Sequence, residues 1–79
     1  MTSTPPWRMI YDDIRRQIET GDLGPGDQLP STPHLQQQYA HLVPRGAVSA
    51  GTVRRAIQTL QAQGYLSSVP GLGVYVAGQ

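Results

Sequence analysis

A chain of 79 residues and 8.6 kDa has room for one small core and no second one. With 38% hydrophobic residues, 14% charged residues and a net charge of +1, it is not a disordered polyelectrolyte, and no run approaches the ~18–20 apolar residues of a transmembrane helix. Zero cysteines exclude disulfides and thiolate metal sites, and Met1-Thr2-Ser3-Thr4-Pro5-Pro6 lacks the charged and apolar regions of a signal peptide, so the expected compartment is the cytoplasm.

The first predicted element is a helix over 6–19. Trp7, Ile10, Tyr11, Ile14 and Ile18 fall at the i, i+3, i+4, i+7 and i+11 spacing of an amphipathic stripe. Pro5 and Pro6 suit its first turn and Gly21 its exit. Asp12, Asp13, Arg15 and Arg16 lie mostly off the stripe, on a solvated face. Asp12 and Arg16 have the favourable acid-before-base i, i+4 order, worth about 0.2–0.5 kcal/mol.

Residues 21–27 form a turn-rich connector. Gln28 and Leu29 then make a very short extended piece, since Pro30 forces Leu29 into the β or polyproline region. Ser31 is the expected N-cap of a second helix over 32–39, its hydroxyl accepting from an orphan N–H. Leu35 and Tyr39 supply the core contacts of that helix, and Pro33 is tolerable only in its first turn. Residues 40–48 form a lengthened turn that breaks any helix at Pro44 and Gly46. Ser49 caps the third helix, 49–63, where Val53, Ala56, Ile57 and Leu60 make one apolar side and Gly64 fits the exit. Gly51, Arg54, Arg55 and Gln58 sit away from that side. The tail reads as strands at 65–69 and 74–76, joined through Pro70-Gly71-Leu72-Gly73. A two-stranded hairpin is not stable alone, so it must pack on the helices.

Three helices, the second and third capped, closed by a Gly-rich hairpin, describe a mainly α fold with a small β-hairpin: a winged helix-turn-helix. It divides into a disordered tail (1–5), one domain (6–76, with 40–48 as the lengthened turn) and a second tail (77–79). Charge divides along the chain too. Residues 1–27 hold all five acids against Arg8, Arg15 and Arg16, a balance of −2, whereas 28–79 hold Arg45, Arg54 and Arg55 and no acid, a balance of +3. The acid-free part can approach a polyanion.

Three segments carry a family resemblance. Ile18-Glu19-Thr20-Gly21-Asp22-Leu23-Gly24-Pro25-Gly26-Asp27-Gln28-Leu29-Pro30-Ser31 is similar to the first-helix exit and Gly-Asp-x-Leu-Pro-Ser signature of GntR-type transcription regulators. Thr52-Val53-Arg54-Arg55-Ala56-Ile57, with Leu60 and Gly64-Tyr65-Leu66, resembles their recognition helix. Gly71-Leu72-Gly73-Val74-Tyr75-Val76 is similar to the wing. The likeness runs from Trp7 to Val76. It implies a sequence-specific DNA-binding domain, most readily a repressor, with helix 49–63 in the major groove of operator DNA and the 70–73 wing near the minor groove. In that setting Ser49 and Thr52 donate to phosphates, with Gly51 and Gln58 on the same helix face, and Arg54 matches the base-reading position. Arg55 forks onto a base edge or a phosphate, Ser31 contacts the backbone, and Gly71 and Gly73 allow close approach of the wing. Two copies on a palindromic site are expected, and a small-molecule effector enters only through a further domain. The chain is either an excised domain or a minimal regulator.

Where the family has arginine, this sequence has Pro33, Ala50 and Leu72, which removes three expected contacts. The competing reading is therefore a protein-interaction module, or an engineered domain with impaired DNA binding. The turn before Ser49 is about seven residues longer than the family pattern. Its Leu42-Val43-Pro44-Arg45-Gly46 resembles a thrombin-cleavage sequence, so 41–47 is either a deliberate insertion or a natural long turn. Enzymatic chemistry has no support: there is no Ser-His-acid arrangement, phosphate loop with Lys or carboxylate pair in a pocket, and no cofactor is expected. His34 and His41 lack a third ligand at metal-binding spacing.

Overall fold

The computed structural model describes residues 4–42 and 48–78. Helix α1 spans Pro6–Thr20, α2 Thr32–Gln38 and α3 Ala50–Ala62; a single 3-10 turn, Ala40–Leu42, follows α2. Strands β1, Leu66–Val69, and β2, Gly73–Val76, pair antiparallel with Leu66 opposite Val76 and Val69 opposite Gly73. The element order and fold class are those read from the sequence. The boundaries move by a residue or so: Tyr39 caps α2 instead of ending it, and Gly73 belongs to β2, leaving 70–72 as the connection. The predicted breaks at Pro44 and Gly46, and the placement of Arg45, lie outside the described residues.

Each helix end has a local cause. Proline at the first position of α1 has no N–H to leave unpaired, and Gly21 ends the helix in the left-handed region at φ 89° with its N–H directed to the Ile18 carbonyl. Ser49 caps α3 as expected, its Oγ accepting from the Thr52 N–H at 3.1 Å. Ser31 does not cap α2 through its side chain, although its backbone is extended as a cap requires. Pro33 removes the N–H of the second helical position, one of the two donors a capping hydroxyl can serve; the other, that of His34, remains, and the Ser31 hydroxyl does not accept from it.

The core is a single cluster at the meeting of all three helices and the hairpin. Ile10, Tyr11 and Ile14 enter from α1, Leu35 and Tyr39 from α2, Val53, Ala56, Ile57 and Leu60 from α3, and Leu66 and Val76 from the strands. Leu29 and Val48 complete it. Fully burying one such aliphatic chain contributes about 1.5–3 kcal/mol, so truncating Leu60, which is wholly buried, costs a large share of a small domain's stability.

The acidic face of α1 is partly built into this packing. Asp12 pairs with Arg8 and not with Arg16, which instead reaches Asp13. Asp13 also accepts from the Tyr39 hydroxyl at 2.7 Å and from Gln17 at 2.8 Å, which locks the end of α2 to the middle of α1. Burial alone would push the Asp13 carboxyl up; the hydrogen bonds from Tyr39, Arg16 and Gln17 outweigh it and hold the group below the usual carboxylate value. The Tyr39 phenol is pushed up, first by burial and then by its bond to Asp13.

Linkage converts these shifts into a stability profile. The Asp13 contribution is complete above an ordinary Asp value of ~3.9 and is lost as pH falls through the lower folded value. The Tyr39 contribution is complete below ~10 and is lost as pH rises through the higher folded value. Tyr39→Phe should cost about 1–2 kcal/mol, roughly 5–15 °C in Tm. Asp13→Asn should flatten the loss of Tm between about pH 4 and pH 2 that the unsubstituted chain shows. Thermal melts followed by circular dichroism across that range check both, and an unchanged acid limb in Asp13→Asn would count against the pairing.

Candidate nucleic-acid interface

The third helix is held at its start from two sides. Val48 is buried, and its carbonyl accepts from the Gln36 side-chain amide of α2 at 2.8 Å. Ser49 then caps the helix, and its Oγ lies 2.8 Å from the Thr52 Oγ1. That pair uses one of its two hydroxyl protons internally and leaves the other for an outside acceptor. The first turn of α3 thus presents backbone N–H groups and a hydroxyl at the positive end of the helix dipole.

Successive residues turn by about 100° around a helix, which gives α3 two flanks. Val53, Ala56, Ile57 and Leu60 face inward, and Gly51, Arg54, Arg55 and Gln58 are exposed. Arg54 is exposed next to Ile57 in the turn of the helix, and Ile57 borders a cleft of about 240 Å³ shared with Ser31, Leu72, Gly73 and Val74. Arg55 lies on the other flank, where its guanidinium carbon stands 4.5 Å from the centre of the Trp7 ring. The indole quadrupole attracts a cation at that distance, and the Arg55 guanidinium forms no ion pair among the described residues. Sequence reading placed Arg55 outward without this partner; Trp7, first residue of the apolar stripe of α1, is half-buried against the rim of the core, as that stripe implies.

Among the described residues neither Arg54 nor Arg55 forms an ion pair: the pairs are Arg8–Asp12, Arg15–Glu19 and Arg16–Asp13, all on α1. The exposed face of α3 therefore carries two uncompensated positive charges. Gly51 adds access. A Cβ there would meet only the Ser49 Oγ, at 3.9 Å, so the fold itself does not require the missing side chain.

The wing completes the surface beside α3. The Leu72 N–H closes a β-turn onto the Val69 carbonyl at 3.0 Å, with Pro70 and Gly71 between them and Gly71 at φ 79°. Proline followed by a positive-φ glycine is the type II pattern. Gly73, at φ 127°, is also confined to a conformation that L side chains rarely adopt. Leu72 projects from the tip at 64% exposure. Ser31 is exposed at the head of α2, on the same cleft as Gly73. The structure thus brings the wing, the head of α2 and the Ile57 edge of α3 onto one cleft.

The residues that sequence reading missed here are Trp7, Gln36 and Gln28. Gln28 and Leu29 were read as a very short extended piece. They form a third, one-bridge edge on β2: Gln28 bridges Tyr75, and the Leu29 N–H donates to Val74 at 2.8 Å. Strand pairing across so many residues leaves no local signal, so only the Pro30 constraint on Leu29 pointed to it.

No helix among the described residues is long and apolar enough to cross a membrane. The pattern described as "Bacterial regulatory proteins, gntR family" matches residues 6–76. The mannosyl-D-glycerate transport/metabolism system repressor MngR of Escherichia coli K12 is 42% identical over 76 residues, which are 96% of this chain and 29% of that protein. The HTH-type transcriptional regulator TreR of Bacillus subtilis 168 is 37% identical over 67 residues, 85% of this chain and 25% of that protein. The DNA-binding domain of AraR, in complex with operator ORR3, superposes with a TM-score of 0.83 at 33% identity, covering 96% of this chain and 83% of that one. The chain spans less than a third of the length of these two curated relatives. With the matched pattern covering nearly all of the winged helix-turn-helix, the chain belongs to the gntR family of bacterial regulatory proteins.

Proposed function

We propose that this domain binds operator DNA sequence-specifically and acts in the cytoplasm as the DNA-reading part of a transcription repressor. The observation that carries the reading is the outer face of α3: exposed Arg54, Arg55 and Gln58 with no acid paired to either arginine among the described residues. Support also comes from the likeness to a domain solved on its operator and to a named repressor.

A B-form major groove about 12 Å wide admits one α-helix. With α3 seated there, Arg54 forks onto a guanine edge and Gln58 reaches a neighbouring base. Ser49, Thr52 and the first-turn amides take phosphate oxygens, as does Arg55 while stacked on Trp7. Ser31 meets the backbone at the head of α2, and Gly71 and Gly73 let the wing approach the minor groove. The domain extends over 6–76, and two copies on a palindromic site raise the affinity that one small interface provides. An effector would act through a domain outside this chain.

Titration of a duplex enriched by this chain from a random-sequence pool, against scrambled duplex at two salt concentrations, tests the reading. Preference for the enriched sequence and a marked loss of affinity with salt are expected; equal, salt-insensitive binding would return the domain to protein contact. Arg54→Ala should cost about 1–3 kcal/mol on the enriched duplex and relax discrimination at one position. Arg55→Gln should weaken all duplexes alike and reduce the salt slope by about one. Gly51→Ala should move two measurements in opposite directions: stability is unchanged or rises by up to about 1 kcal/mol, while the added methyl lowers affinity for DNA.

A further inference from the structure

The hairpin of the wing has only four residues in each strand, and its tip lies away from the core. Ladders this short are marginal on their own. Backbone bonds from the 26–29 segment support the base of β2: Gly26 N–H to Val76, Val76 N–H to Asp27, and Leu29 N–H to Val74, all at 2.8–3.0 Å. None of these bonds reaches the turn. One side chain does. The Gln28 Nε2 donates to the Leu72 carbonyl at 2.7 Å, spanning 44 residues of sequence. The same amide nitrogen stands 2.7 Å from where a Cβ on Gly73 would lie, closer than real Cβ contacts come.

Gln28 is exposed, and nothing in the core requires an amide at its position. Holding a long polar side chain in one rotamer at the surface costs conformational entropy. The bond spans the cleft between the head of α2 and the tip of the wing, which Ser31, Ile57, Leu72 and Gly73 also line.

We infer that Gln28 is a positioning residue for the wing: through Leu72 it fixes the distance between the wing tip and α3, and so the offset between minor-groove and major-groove contacts on one duplex. The inference rests on the DNA-binding reading above. It gives Gln28 a role through geometry, with no contact to DNA required. It also assigns a use to the bare Cα of Gly73, which leaves room for the amide as well as providing the turn.

The experiment uses the 79-residue chain, Gln28→Ala and Gln28→Glu, on the duplex that the unsubstituted chain enriches from a random pool. Gln28→Glu keeps the shape but removes the donor and sets a carboxylate against a carbonyl. Both variants should bind about 3–10-fold more weakly with nearly unchanged Tm. Hydroxyl-radical protection should fade in the minor groove beside the wing, while guanine N7 protection under α3 persists. In the unbound variants, amide exchange should accelerate at 71–73 and not in α3. A footprint and exchange pattern equal to those of the unsubstituted chain would overturn the role of Gln28 while leaving DNA binding intact. Failure of the unsubstituted chain to enrich any duplex would remove the DNA reading, and this inference with it.

Discussion

The position of α3 rests on how its first residue is held. A helix that enters a groove must be rigid at its leading end, and α3 is held there from α2: Val48 is buried, and Gln36 holds its carbonyl. Ser49 then caps the next turn directly. The start of α3 is thus tied to α2 by the buried Val48 and by one amide.

Behind that fixed start, α3 exposes two arginines in different settings. Arg55 sits on the Trp7 ring with its rotamers already restricted, which suits a contact whose value lies in position. Arg54 has no such partner among the described residues. The difference matters because basic groups are few: the expected arginines at 33, 50 and 72 are Pro, Ala and Leu. With little electrostatic attraction to spare, affinity has to come from surfaces that are already shaped before DNA arrives.

How much of this could be read from the sequence follows from the range of each interaction. The α1 stripe from Trp7 to Ile18, the cap at Ser49 and the exit at Gly64 are local patterns, so spacing and residue type reveal them. Gly64 does adopt positive φ, 87°. Ser31 misled because residue type and spacing mark a cap position without fixing the side-chain bond: its backbone is extended as a cap requires, yet its hydroxyl accepts from no helical N–H. Asp13 misled in the other direction. It looked like one of several solvated charges on α1, yet Tyr39 reaches it from α2. The outer face of α3 was legible as a face, since helical periodicity fixes it, but the stacking of Arg55 on Trp7 joins positions 48 residues apart with no common motif. Gln28 occupies the variable position within Gly26-Asp27-Gln28-Leu29-Pro30-Ser31, where the motif itself says nothing about the side chain.

These interactions also order the parts of the surface by how firmly they are held. The inner face of α3 is fixed by wholly buried Val53, Ala56 and Leu60, an anchorage that neither salt nor moderate pH change weakens. The wing has Leu66 and Val76 at its base in the core, while Val69 and Leu72 at its far end are exposed. Apolar anchorage therefore decays along the hairpin, and hydrogen bonds take over as it does. Local opening begins where buried contacts are fewest, so the tip yields before the recognition helix does. A winged domain of this kind can keep one part of its reading surface rigid while the adjoining part is tuned by single polar contacts, because the two parts depend on physically different interactions.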